Sequence, residues 1–432
     1  MNGRFQTIAA AAATAWLLGG TPAAAQDLRN AYRMPDKAQG LDFRLGDSIF
    51  RKLWVQAPSS TRSSDGLGPL YNARSCASCH IRNGRGPMPT GDEPPLSLLF
   101  RTSIAPQGTN GPTPEPTYGL QIQPLSVAGL RGEGRVVTTW QETPVTLADG
   151  TTVTLRRPSY AFTDPAYGAP HPGLELSPRQ APSLIGLGLL ERVPDDDILK
   201  PRDNHDGIRG RPNRVWSPSR QATVLGRFGW KASEPTLPDQ IAVAFANDLG
   251  LSTPLLPAAW GDCTPRQPQC RAAPHGLAPG EATEVAPVLF DLVLAYLRNL
   301  AVPPRRNADS PQVRTGATVF GEIGCAACHR PELAPGVAAY TDLLLHDMGP
   351  GLADGRADWA AGGGDWRTAP LWGLGLAAAV AGGPVGYLHD GRARSPLEAI
   401  LWHAGAAQPV RDRVLGLSPA DRAALLAFLD SL

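Results

Sequence analysis

Six cysteines fall in three pairs, and two of the pairs run straight into a histidine: Cys76-Ala-Ser-Cys79-His80 and Cys325-Ala-Ala-Cys328-His329. Thiols three residues apart can add to the two vinyl groups of one haem. The adjoining imidazole then falls beneath the iron as its ligand. The pattern predicts two covalently bound haem c groups, held through Cys76, Cys79, His80 and Cys325, Cys328, His329. A thioredoxin-like redox pair needs no trailing histidine and expects a βαβ setting that is missing here. A zinc site built from both pairs would have to bridge a separation unlike that of a compact zinc module. The third pair, Cys263 and Cys270, lies in a polar, Pro-rich stretch with no histidine placed for haem, and predicts a disulfide closing a surface loop.

The elements that must position these residues belong to a chain of 432 residues, 42% hydrophobic and 18% charged, long enough for two or three domains. Arg4, an apolar run from Ile8 to Leu18 and a small-residue stretch before Gln26 read as a secretory signal peptide over residues 1–25. The protein is therefore expected in the periplasm, with no membrane span after signal removal. Its loss takes one Arg from the 40 basic residues and none of the 39 acidic ones. A neutral chain carries no electrostatic footprint for nucleic acid or anionic lipid. The 47 Gly and 44 Pro are spread among too many hydrophobic residues for disorder, so long, packed loops are expected.

Two halves of one design are visible. Ala181-Pro-Ser-Leu-Ile-Gly-Leu-Gly-Leu189 follows the first haem motif, and Ala369-Pro-Leu-Trp-Gly-Leu-Gly-Leu376 follows the second. Each precedes a segment ending in a Leu-led helix, Trp230 to Leu237 and His389 to Leu397, as an internal duplication would give. Val136 to Arg156 alternates β-formers and polar residues around Ala148-Asp-Gly150, a hairpin signature. Thr283 to Leu300 and Ser418 to Leu432 carry helical periodicity, the latter capped by Ser-Pro-Ala-Asp. The expected fold is mainly α with long loops and a small β-hairpin insertion, arranged as two cytochrome c-like haem domains. The N-terminal one covers 26–302, with the β insertion near 118–162 and the Cys loop near 263–270. The C-terminal one covers 303–432, after a Pro/Arg/Asn-rich connector.

At this point several long motifs carry a resemblance. Leu67-Gly-Pro-Leu-Tyr-Asn-Ala-Arg-Ser-Cys-Ala-Ser-Cys-His-Ile-Arg-Asn-Gly-Arg-Gly86, Gly226-Arg-Phe-Gly-Trp-Lys-Ala232, Leu344-Leu-His-Asp-Met-Gly349 and Tyr387-Leu-His-Asp-Gly-Arg392 are similar to segments of the bacterial dihaem oxidoreductase family, described as peroxidases. That family is related to dihaem cytochrome c peroxidases and the methylamine-utilisation dihaem enzyme. The resemblance implies one iron with an open site for peroxide and a six-coordinate partner that relays electrons. It places a second axial ligand at His403, where the peroxidases have methionine. Met348 competes for that position. His389 would contact propionates or backbone, and Arg82 and Arg85 could pair with propionates of the first haem.

Trp230, Leu237 and Gln240 match the spacing of the peroxidase segment that reaches the distal pocket. Asp248 then falls at the distal acid/base position and Trp230 between the haems as an electron relay. The implied function is periplasmic peroxidase-type oxidoreduction, with a small cytochrome or cupredoxin as donor and room for a structural calcium between the halves. Two readings stay open beside it: a dihaem cytochrome that only transfers electrons, and an oxygenase acting on an organic substrate.

Overall fold

The computed structural model describes residues 37–88, 96–109, 111–200 and 207–432. The signal segment expected over 1–25 lies outside the described residues, as do Met34 and His205. Among the described residues no helix is long and apolar enough to cross a membrane.

The helices start where caps permit. Thr236, Ser310, Ser395 and Ser418 each accept a backbone N–H from the third residue onward, and Pro follows in the first turn. They open the helices Leu237–Asp248, Pro311–Glu322, Pro396–Leu401 and Pro419–Ser431.

The same set of contacts is built twice. In the first half, helix Lys37–Arg51 crosses helix Pro287–Arg298 so closely that a Cβ on Gly46 would collide with the Leu292 carbonyl oxygen. In the second half, Gly316 of helix Pro311–Glu322 meets the Ala424 carbonyl oxygen of helix Pro419–Ser431 in the same manner. Phe50 lies 5.3 Å from Tyr296 between the first two helices, and Phe320 lies 5.1 Å from Phe428 between the second two. The Gly-Leu-Gly-Leu turns repeat too: Gly186 N–H donates to Leu300 O and Gly373 N–H to Leu432 O. The turns face each other, since a Cβ on Gly186 would strike Trp372 and one on Gly373 would strike Ile185. Both glycines are left-handed, at φ 69° and 73°, a conformation that side chains disfavour. Gly186 and Gly373, and their neighbours Ile185 and Trp372, are equivalent positions of the two repeats. The halves therefore meet about a local two-fold relation.

The expectation of a mainly α fold is corrected. Helix makes up 30% and strand 21% of the structure, in several small sheets, ordinary proportions for a mixed domain. Much of the strand content lies between the two haem motifs and extends beyond a single hairpin. Leu98–Gly108 pairs antiparallel with Leu174–Gln180 and with Gly111–Thr113. Pro178 in the first partner argues against a strand, yet that strand is at the sheet edge, where proline's missing N–H costs nothing.

The long hairpin Arg135–Thr146/Thr152–Thr163 is mostly exposed along its length. Near its turn, Leu147 and Leu155 are buried with Trp366, Leu401 and Trp402, and Ala148 N–H donates to Leu415 O. It therefore straps the first half onto the second. Cys263 and Cys270 form a disulfide, but both are buried, at 6% and 0% exposure. The bridge is an interior brace, so the expected surface position is also corrected.

Candidate haem sites and the cavity beside the first

The first motif is one helical turn. Ser75 caps Cys76–Cys79 by accepting the Ser78 N–H, and His80 N–H closes the turn on Cys76 O. His80 Nδ1 donates to Pro182 O at 2.9 Å, inside the repeated Ala-Pro turn. Asn83, left-handed at φ 63°, receives Leu184 N–H on its carbonyl and the Tyr296 hydroxyl on Oδ1 at 2.8 Å. Burial pushes His80 down to about 4, so its imidazole is neutral with Nε2 carrying the free lone pair. Fixing Nδ1 on a carbonyl is how proteins orient an iron-ligating histidine.

The second motif follows Gly324, left-handed at φ 90°, as a tight turn over Cys325–Ala327. His329 Nδ1 donates to Tyr340 O at 3.0 Å. His403, just beyond helix Pro396–Leu401, donates Nδ1 to Ala399 O at 2.7 Å. Burial first, and the neighbouring His403 imidazole second, bring His329 down to about 4. Each of the two rings has Nδ1 spent on a carbonyl and Nε2 left over. Met348 instead packs against the cluster of Trp366 and Trp402. His346, part of the Leu344–Gly349 motif but assigned no role from it, is buried between Asp342 (Nε2 to Oδ2, 2.9 Å) and the Cys328 sulfur at 3.6 Å.

The residues present fit haem at both motifs. All four motif cysteines are free of disulfides, and burial holds their thiols protonated, Cys76 and Cys325 pushed up to about 12. Neutral buried thiols suit thioethers and disfavour a zinc thiolate. Among the described residues no group of three or more His, Cys, Asp and Glu is placed to hold a metal ion. Among the described residues the two Cys pairs are therefore not assembled into a zinc site.

Beside the first motif lies a cavity of about 670 Å³, lined by Cys76, Cys79 and His80 and by residues of both halves, within the size range of cofactor and ligand pockets. Asp248, the last residue of helix Leu237–Asp248, reaches it. Its Oδ1 accepts Gln121 Nε2 at 2.8 Å, and its carbonyl accepts Asn72 and Ala73 N–H. Burial pushes its carboxyl up. Trp230 is half-buried on the cavity wall, donating Nε1 to Gln180 O at 2.8 Å. Its other side packs against the cluster that includes Trp402, next to His403.

Three further carboxyls line the same cavity: Asp358, paired with Arg356 at 2.7 Å, Glu234 and Asp262. Burial raises Glu234 to about 8 and Asp262 to about 7. Glu234 lies inside the Trp230–Leu237 segment already marked, and Asp262 adjoins a disulfide cysteine. Arg82 and Arg85 spend donors on protein carbonyls, Arg82 on Val380 O and Arg85 on Gly386 and Leu388 O. His389 stacks on Trp366 with centroids 3.6 Å apart, and its carbonyl accepts Gln180 N–H.

A hydrazine synthase structure from Kuenenia stuttgartiensis, pressurized with 20 bar xenon, is 14% identical to the chain, covers 100% of both and has a TM-score of 0.36, too low to carry an argument. No curated protein matches the chain. The family model described as "Di-haem oxidoreductase, putative peroxidase" matches residues 21–94 and 111–432. With nearly the whole described chain covered, the protein belongs to the di-haem oxidoreductase family, whose cofactors are haems.

Proposed function

We propose that the protein is a periplasmic oxidoreductase of peroxidase type, with haem attached through both Cys-x-x-Cys-His motifs. The observation that carries this reading is the asymmetry between the two sites. The first adjoins a large cavity with three carboxyls pushed up by burial. The second has a pair of imidazoles, His329 and His403, both poised through Nδ1, which suits a six-coordinate electron carrier. Haem, when bound, supplies an iron that can take an oxygen ligand and exchange electrons.

The protein's own groups do the rest. Reducing hydrogen peroxide to two waters breaks one O–O bond and consumes two protons and two electrons. His80, its Nδ1 held by the Pro182 carbonyl, would offer Nε2 to the iron of the first haem. Glu234, pushed up to about 8 by burial, holds a proton at neutral pH, and burial also pushes up the carboxyl of Asp248, which Gln121 positions. Trp230 bridges the cavity and the cluster beside His403, a route for electrons arriving at the second haem from a small cytochrome or cupredoxin. The buried Cys263–Cys270 disulfide supports an oxidising compartment.

The test is absorption and EPR spectroscopy of the haem-loaded protein with and without hydrogen peroxide. A high-spin signal that peroxide removes, with loss of an electron from the low-spin haem, is expected. Two low-spin haems indifferent to peroxide would overturn the peroxidase reading in favour of electron transfer.

A further inference from the structure

Five arginines line the first cavity: Arg85, Arg101, Arg179, Arg356 and Arg367. Four have their guanidinium groups engaged. Arg85 and Arg367 donate to backbone carbonyls. Arg179 pairs with Asp354 at 2.7 Å and Arg356 with Asp358 at 2.7 Å. Among the described residues Arg101 alone of the five has no hydrogen-bond or ion-pair partner for its guanidinium.

Its direction follows from the backbone. Arg101 forms an antiparallel bridge with Gln121, and residues directly opposite in such a pair project to the same face. The Gln121 side chain runs from that face to Asp248 Oδ1 and Asn72 Oδ1, at 2.8 and 2.7 Å. Gln121 N–H and its neighbour Leu120 N–H both donate to Asp262 Oδ2. Arg101 thus stands among the cavity carboxyls without being tied to any of them. Burial pushes Glu234, Asp248 and Asp262 up, and the charge of Arg101 draws each back.

We propose that Arg101 is the anion-binding group of the first cavity, holding a small anionic ligand, such as the deprotonated oxygen ligand of the reaction, beside the carboxyls. A haem propionate is the other anion to consider. The thioether bonds attach at the porphyrin edge opposite the propionates. Arg101 would face the thioether side, because its bridge partner Gln121 holds Asp248, which lines the cavity together with Cys76 and Cys79. Arg85 and Arg367 come from the motif's far end and the second half. An unneutralised cation in a cavity of low dielectric attracts a small anion far more strongly than it would in water. None of the cavity carboxyls forms an ion pair or hydrogen bond with the Arg101 guanidinium among the described residues, and Asp358 is taken by Arg356.

This inference rests on the first cavity being the haem-bearing reaction site, and the experiment separates the two. Azide binding to the oxidised haem-loaded protein is titrated by absorption, and carbon monoxide binding to the reduced protein serves as the neutral control. Arg101→Gln is expected to weaken azide by at least about 10-fold, the worth of one charge-assisted hydrogen bond, and to leave carbon monoxide affinity unchanged. Arg101→Lys should keep most of the azide affinity. Equal azide affinity in wild type and Arg101→Gln would overturn the proposal. So would parallel losses for both ligands, which mean a reshaped cavity, or a wild-type protein that takes no azide. The peroxidase reading fails separately, if azide binds through Arg101 while peroxide leaves the spectra unaltered.

Discussion

Replacing Glu234 with Gln should make the protein progressively more stable than wild type as pH rises. The carboxyl lines the cavity without a hydrogen-bond partner among the described residues, and burial lifts it from 4.5 to about 8. An acid with a raised folded pKa binds its proton more tightly when folded. Below 4.5 both states are protonated and nothing changes. Between 4.5 and about 8 the unfolded chain gives up the proton first, so stability falls with rising pH and then levels off.

The full shift corresponds to about 5 kcal/mol. Glu234 is only half-buried, and water in the cavity screens its charge, so we expect about 2 kcal/mol. The assay is the unfolding free energy of haem-loaded wild type and Glu234→Gln at pH 5 through 9, read as a difference so that all other titrations cancel. The difference should be smallest at pH 5 and grow by about 2 kcal/mol toward pH 9. A difference that stays flat over that range would refute the reasoning, because Glu234 would then be titrating as an ordinary exposed carboxylate.

Other perturbations probe other contacts. His403→Ala should convert the low-spin component of the second haem to high spin, with free imidazole restoring it; an unaltered EPR spectrum would remove His403 as a ligand. Trp230→Leu should slow electron transfer between the haems by about tenfold or more without altering either haem's absorption, and an unchanged flash-photolysis rate would rule out the relay. Gly316→Val drives a side chain into the Ala424 carbonyl oxygen and should cost about 2 kcal/mol or more, visible as a thermal midpoint several degrees lower. A midpoint equal to wild type would mean the helices do not cross where Gly316 and Ala424 meet.

What could be read in advance was local chemistry. Covalent haem attachment requires contiguous residues, so Cys76 to His80 and Cys325 to His329 stand out without any fold. Helix starts were legible for the same reason, since the cap of Ser418 on Asp421 N–H is a three-residue affair. The repeated Gly-Leu-Gly-Leu turns were visible too, and their mutual contact explains why both keep Gly186 and Gly373. The strand content was not legible, because the strands are short, interrupted by Pro178, and held by partners far along the chain. Arg101, Gln121 and Asp262 were hidden by the same physics. Their proximity arises only when the Leu98–Gly108 strand bridges Gln121 and the disulfide segment folds beneath it. Glu234 lay within a marked segment, but spacing alone could not reveal that its carboxyl faces a cavity. Asp248 was found by comparison of spacing, and it does line the cavity beside Cys76 and Cys79.

The most direct trial of the account is the mass of the mature protein, made in cells competent for cytochrome maturation, before and after proteolysis. The account predicts a polypeptide heavier by two haems, with one on the peptide containing Cys76 and Cys79 and one on that containing Cys325 and Cys328. A bare polypeptide mass, or both haems lost on denaturation, would contradict it.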